Sequence, residues 1–435
     1  MSRLTARLKI AAPVFIWRMS RDPLGFLQRM HARYGDYVFV HTGRRRLYLV
    51  IEPDLVRDVL VTEGLKFSKS RGLEMTKRLL GNGLLTAGRE LHLKQRRLVQ
   101  PAFSKNRMPG YARAIIETTQ EHLKGWRDGR FLDLSAEMMA ITLDIITRTM
   151  FGDSIGDRTP LVAEAMHDSL QSFNVGLIPL MPVMVHLPLS SNRKFERAKR
   201  QLDSIIYELI EQRRGGEDQG DFLSMLMSAT DNGVPMSDEQ LRDECMTIFL
   251  AGHETTANAL SWTLALLQQH PVWLEQLRQE IDQVGLEDWT ALEKCRWVTQ
   301  EALRLYPPAW VIGRMAREPL QIGGETIEPG SVMILCSAVA HRQPQYFPEP
   351  DRFLPERWRQ AEELPKFAYF PFGGGNRVCI GEHFARMEAV LVLASVLRDW
   401  DFRMLDKMPA PQAGITLKPL GGLPVELRRH RATVV

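Results

Sequence analysis

Cysteine is scarce in this chain. The four residues Cys245, Cys295, Cys336 and Cys379 show no paired spacing in 435 residues, which argues against a disulfide framework and for a reducing compartment. Long apolar runs are missing too. The run from Ile10 to Trp17 is interrupted by Pro13 and ended by Arg18, far short of the roughly 20 residues of a membrane span, and it carries no small-residue cleavage site. A soluble, cytoplasmic protein is expected. Neither sign of charge dominates: a net charge of +4 is no nucleic-acid footprint, although basic residues gather at Arg44 to Arg46, at Lys94, Arg96 and Arg97, and from Arg193 to Arg200. No linker, repeat or low-complexity block divides the chain. Its length would admit two or three domains, but the lack of any break favours one, spanning 1–435, and 44% hydrophobic residues suffice for a large core.

Of the four cysteines, Cys379 alone has a motif around it. The stretch Pro371-Phe372-Gly373-Gly374-Gly375-Asn376-Arg377-Val378-Cys379-Ile380-Gly381 presents one thiol from a glycine-rich loop and runs into a helical pattern from Glu382 to Val392. Cys379 therefore lies just before a helix N-terminus, where unpaired N–H groups and the helix dipole favour negative charge and hence a thiolate. The upstream glycines and Gly381 let the backbone approach something flat and bulky and supply φ > 0, while Arg377 brings a cation to its rim. These features suit a haem whose iron is held by sulfur and whose propionates meet arginine. On local chemistry alone, a buried structural cysteine beside a glycine turn accounts for them equally well.

The spacing of Phe372, Gly375, Arg377, Cys379 and Gly381 resembles the haem-binding signature Phe-x-x-Gly-x-Arg-x-Cys-x-Gly of the cytochrome P450 monooxygenases. The resemblance implies haem b with Cys379 as axial ligand and Phe372, Arg377 and Gly381 around it. Other motifs follow the family order from His92 to Gly381. His92-x-x-x-Arg96 puts two cationic-capable side chains one helical turn apart, which the family uses for haem propionate, and Arg314 is expected to join them. Glu301-x-x-Arg304 and the Arg357 of Pro355-Glu356-Arg357 resemble the family's buried ion network and read as structural, needed for haem incorporation.

The longest helix candidate opens on Ser237-Asp238-Glu239-Gln240, a capping box, and runs to His270 before Pro271. Its centre, Ala251-Gly252-His253-Glu254-Thr255-Thr256, is a polar interruption that is costly to bury unless it serves something. Proton delivery needs a hydroxyl backed by a carboxylate. The resemblance assigns Glu254 to proton relay and Thr255 to hydrogen bonding oxygen bound at the iron.

Residues 22 to 34 read as a helix, Tyr37 to His41 and Leu47 to Ile51 as paired strands, and Pro53 to Leu60 as a helix with proline in its first turn. Residues 111 to 150 and 195 to 215 read as helical, with strands at Leu320 to Ile322 and Val332 to Leu335. Val175 to Leu189 is apolar but broken by Pro179, Pro182 and Pro188, so it is no single helix and would serve as core packing or as a lid over an apolar channel that touches a membrane surface transiently. Leu79, Leu80, Leu177, Ile178, Phe249, Ala251, Trp310, Val311 and Ile415 are expected to line an apolar pocket.

The resemblance implies the mainly helical cytochrome P450 fold, with a long central helix over the haem and a small β lobe near 35–65 and 310–345. It implies insertion of one atom of O2 into a lipophilic substrate, by hydroxylation or epoxidation of a fatty acid, carotenoid or other terpenoid. No flavin or iron–sulfur segment is present, so electrons are expected from a ferredoxin or flavodoxin with its reductase, docking on a monomer at Lys94, Arg97 and Arg386. A peroxide-driven peroxygenase and a haem-thiolate sensor are the alternatives.

Overall fold

The chain begins with a strand and two helices, β1 (Ala6–Lys9), α1 (Ala12–Arg21) and α2 (Pro23–Tyr34), followed by the hairpin β2 (Tyr37–Thr42) and β3 (Arg45–Val50). Proline in the first turn starts both helices, where its missing N–H costs nothing. The computed structural model describes residues 2–152, 158–171, 189–215 and 219–430. Further on come β4 (Phe67–Lys69), α3 (Arg89–Val99), α4 (Met108–Lys124), β5 (Phe131–Asp133), α5 (Leu134–Phe151), α6 (Ser190–Arg213) and α7 (Asp238–Gln268). The C-terminal part adds α8 (Pro271–Val284), α9 (Glu293–Leu305), β6 (Ile312–Ala316), β7 (Val332–Leu335), α10 (Glu382–Asp399), β8 (Trp400–Met404), β9 (Pro411–Ala413), β10 (Leu417–Pro419) and β11 (Pro424–Arg429).

A six-stranded sheet runs in the order β1-β2-β3-β7-β6-β4, and a three-stranded one in the order β8-β11-β5. The larger sheet closes a core of Tyr37, Val38, Leu49, Val50, Met333 and Leu335. It includes β1 and β4, which lie outside the two windows expected for the β lobe; both are too short to show a period. In the register of β4 against β6, Lys69 stands opposite Arg314, so two cations meet at one edge. The stretch expected as helix over 111 to 150 is two helices, since Gly129 at φ +74 breaks it before β5. The apolar segment 175–188, with Leu177 and Ile178, lies outside the described residues. No helix among the described residues is long and apolar enough to cross a membrane.

The central helix α7 starts where the Ser237 side chain accepts from the Gln240 N–H at 3.2 Å, the cap expected from the sequence. Most of its 31 positions are buried, polar ones such as Asp243, Glu244 and Asn258 included. It packs against α5 at Gly252, where a Cβ would lie 2.8 Å from Ile146 Cδ1. Helix α10 is likewise buried from Met387 to Leu397. Between the two sits Glu388, whose carboxyl oxygens are buried without a hydrogen bond; burial pushes its pKa up to about 8, with the Thr256 hydroxyl facing it.

Glu301 and Arg304 form a fully buried bidentate pair at 2.9 and 2.8 Å. Glu301 also accepts from Arg357 Nε at 3.1 Å, Trp358 Nε1 at 3.0 Å and the Leu354 N–H at 3.0 Å. Arg304 donates to the carbonyls of His341, Pro350 and Arg352. With every polar atom matched, the network ties α9 to the loop before the cysteine segment. Removing one member strands a buried charge, a loss of about 3–5 kcal/mol. Glu301→Ala should therefore lower the free energy of unfolding by that amount, read as a lower denaturant midpoint at unchanged m, whereas Glu349→Ala, which frees the exposed Arg352, should cost under about 1 kcal/mol.

Candidate active site

The loop Phe372–Cys379 is closed by the Cys379 N–H donating to the Phe372 carbonyl at 3.0 Å. Gly375 has φ +66, and a Cβ there would fall 1.9 Å from the Leu60 carbonyl oxygen, so only glycine fits. That close approach is to the protein's own backbone. Gly381 has φ −92 and space for a Cβ at 3.4 Å from Phe103, so the left-handed conformation expected of it is not what the chain uses. Arg386 pairs with Glu382 at 2.9 Å and stacks on the Phe372 ring at 4.7 Å, fixing the loop to the first turn of α10.

Cys379 is solvent-accessible although protein atoms crowd around it. Burial pushes its thiol up to about 11, against the Gly381 N–H and the charges of Arg96 and Arg386, which pull it down. A cation in contact with the sulfur would reverse this, because a coordinating thiol is deprotonated outright.

Four basic side chains converge beside this loop. Arg314 and Arg377 share one cleft with His92 and Asn376, and Lys69 is buried at the neighbouring strand edge, its Nζ 3.4 Å from the Leu84 carbonyl. Burial and then Arg377 push Lys69 down to about 6 and His92 down to about 3; the same two causes lower Arg314 to about 10. The Glu74 carboxylate opposes the shift of Lys69 and that of Arg377. Arg377 donates to the Ala87 carbonyl at 3.2 Å, while its Nη1 is buried without a partner. Arg96 instead donates to the Val378 carbonyl at 2.8 Å, next to the cysteine. Two guanidinium groups, one with an orphaned buried nitrogen, beside a lysine and a histidine whose charging is opposed by burial, call for an anionic group. The two carboxylates of a haem whose iron reaches Cys379 fit it.

A family model for cytochrome P450 matches residues 10–423. The chain belongs to the cytochrome P450 family. It is 37% identical to cyclooctatin synthase of Streptomyces melanosporofaciens over 93% of this chain and 92% of that protein. It is 36% identical to the same organism's cyclooctat-9-en-7-ol 5-monooxygenase, over 88% and 86%, and 30% identical to pentalenene oxygenase of Streptomyces avermitilis, over 88% of each. This P450 is accordingly an oxidoreductase of the monooxygenase type, and the family implies haem iron with a cysteine thiolate ligand.

On the α7 side of this P450, the Thr255 hydroxyl donates to the Ala251 carbonyl at 2.7 Å, the local back-bond available to any helical threonine. Glu254 Oε1 accepts from Thr416 Oγ1 at 2.8 Å. Among the residues expected on the pocket wall, Ala251 and Ile415 are exposed and Val311 is half-buried. Leu79, Leu80, Phe249 and Trp310 are buried in the two cores. The correction is clearest for Leu79 and Leu80, whose short helix Lys77–Leu80 turns its apolar side inward against α7. Lys94 and Arg97 both approach Asp231 at 3.5 Å.

Lys69 and the carboxylates Asp243 and Glu244 escaped the sequence analysis, as did the bond between Thr416, in the expected pocket loop Gly414 to Leu417, and Glu254. Asp243 and Glu244 hold the loop over the site, accepting from the Asn82 N–H at 2.6 Å and the Leu84 N–H at 3.0 Å. Burial pushes Glu244 up to about 8, opposed by the Leu84 N–H. Lys69 lies far from every motif, and only its strand register brings it to Arg314. A charged hydrogen bond contributes about 1.5–3 kcal/mol, so Lys69→Met should speed haem transfer to apomyoglobin roughly 10- to 100-fold. The haem-free chain, whose Lys69 falls from the ordinary 10.5 to about 6, should lose stability as the pH drops through that window. Lys69→Met should flatten the slope in urea unfolding.

Proposed function

We propose that this P450 inserts one oxygen atom into a cyclic terpenoid, by hydroxylation or epoxidation. The observation that carries the reading is the uncharged accessible pair next to the Glu254–Thr255 acid and alcohol: Ala251, whose carbonyl takes the Thr255 hydroxyl, and Ile415, the neighbour of the Thr416 that bonds Glu254. Such a wall selects for apolar bulk and offers no anchor for a carboxylate, which sets a terpenoid above a fatty acid. The names of the relatives, an oxygenase of pentalenene and a 5-monooxygenase of cyclooctat-9-en-7-ol, support the same class.

When bound, the haem supplies the oxygen-activating chemistry. The chain's own contribution is to hold that group and to handle protons. Cys379 would ligate the iron, with Phe372 and Gly381 framing the loop. His92, Arg96, Arg314, Arg377 and Lys69 would neutralise the propionates. Glu254 carries protons in from solvent and Thr255 passes them on at its hydroxyl, as a general acid of this kind contributes about 10²–10⁴-fold. Glu301, Arg304 and Arg357 keep the cysteine loop in place so that haem can be incorporated. Electrons come from a ferredoxin or flavodoxin with its reductase, and the exposed Lys94 and Arg97 form the docking face, whose attraction weakens with salt.

Optical titration of the purified ferric protein tests the substrate class. Pentalenene or a related polycyclic terpene should give a saturable low-to-high-spin shift, and palmitate should give none. A shift with palmitate alone would overturn the terpenoid reading while leaving the monooxygenase class intact.

A further inference from the structure

Glu254, Asn258 and Trp262 recur every fourth residue along α7, so they share one helical face. That face carries the tip of the β9–β10 hairpin. Trp262 Nε1 donates to the Leu417 carbonyl at 3.0 Å, Asn258 Nδ2 to Thr416 Oγ1 at 3.2 Å, and Thr416 Oγ1 to Glu254 Oε1 at 2.8 Å. The tip is gripped from the other side by Trp310 Nε1, which donates to the Gly414 carbonyl at 3.0 Å, and by the Leu417 N–H, which donates to the Pro308 carbonyl at 3.0 Å. Thr416 is buried, whereas its neighbour Ile415 is 43% exposed.

The direction of the Thr416 bond is set by its neighbours. A hydroxyl has one proton to give. The Asn258 amide occupies a lone pair of Thr416 Oγ1, so that proton goes to Glu254, as a charge-assisted bond when the carboxylate is ionised. We infer that Thr416 is a positioning residue for Glu254, holding one carboxylate oxygen against the hairpin so that the other is presented for proton exchange. The inference rests on the proposed role of Glu254 as proton carrier.

Infrared difference spectra and substrate-free oxygen reduction, both on the haem-loaded protein, test this. The carboxyl band missing from Glu254→Gln identifies Glu254. In Thr416→Val that band should shift, and Thr416→Ser should restore it. With photoreduced flavin as electron source, the rate of oxygen reduction should fall about 10-fold in Glu254→Gln and in Thr416→Val, with no further loss in the double variant and recovery to within about twofold in Thr416→Ser. If Thr416→Val does not fold, Asn258→Ala, which frees the hydroxyl to turn, should shift the band in the same direction. An unmoved band, or additive losses in the double variant, would overturn the inference while leaving Glu254 as proton carrier. An unimpaired Glu254→Gln would overturn both.

Discussion

Buried positive charge is the constraint on which this fold depends. The pairing of β4 with β6 sets Lys69 opposite Arg314, α3 brings His92 inward, and the cysteine loop adds Arg377 with one nitrogen unpartnered. Burial and then the charge of Arg377 lower Lys69, His92 and Arg314. A sequence that keeps such a cluster needs an anion to complete it, and the accessible Cys379 nearby limits what that anion is attached to. Haem answers both demands at once. Its binding free energy then adds directly to the stability of the folded chain.

Helix α7 is the second organising element, because burying a helix on all sides leaves each polar side chain in need of a partner. Its first half clamps the loop over the site through Asp243 and Glu244. Its second half seats the β9–β10 hairpin through Glu254, Asn258 and Trp262. Glu254 belongs to the hairpin anchorage itself and Thr255 follows it, so both loops and these two side chains are carried by one helix.

Local signals in the sequence carried much of this. The cap at Ser237 and the helix opening at Pro53 are read from neighbouring residues, fixed spacing around Cys379 led to the family, and the network of Glu301, Arg304 and Arg357 came through that resemblance. What stayed hidden was made by pairing between distant segments. Lys69 and Thr416 gain their surroundings from strand register and from a hairpin packed on a helix more than 150 positions away. Leu79 and Leu80 misled for the same reason, since hydrophobicity alone does not tell a pocket wall from a core. Gly375 and Gly381 look equivalent in the motif, yet only Gly375 takes a positive φ.

The central claim is that Cys379 holds the haem iron as a thiolate. The carbon monoxide difference spectrum of the reduced protein tests it most directly, comparing Cys379→Ser with Cys336→Ser, whose cysteine is equally part of the chain but buried in the sheet-lobe core. The account predicts a thiolate-type band in the parent protein and in Cys336→Ser, and its complete loss in Cys379→Ser. A thiolate-type band that survives Cys379→Ser would contradict it.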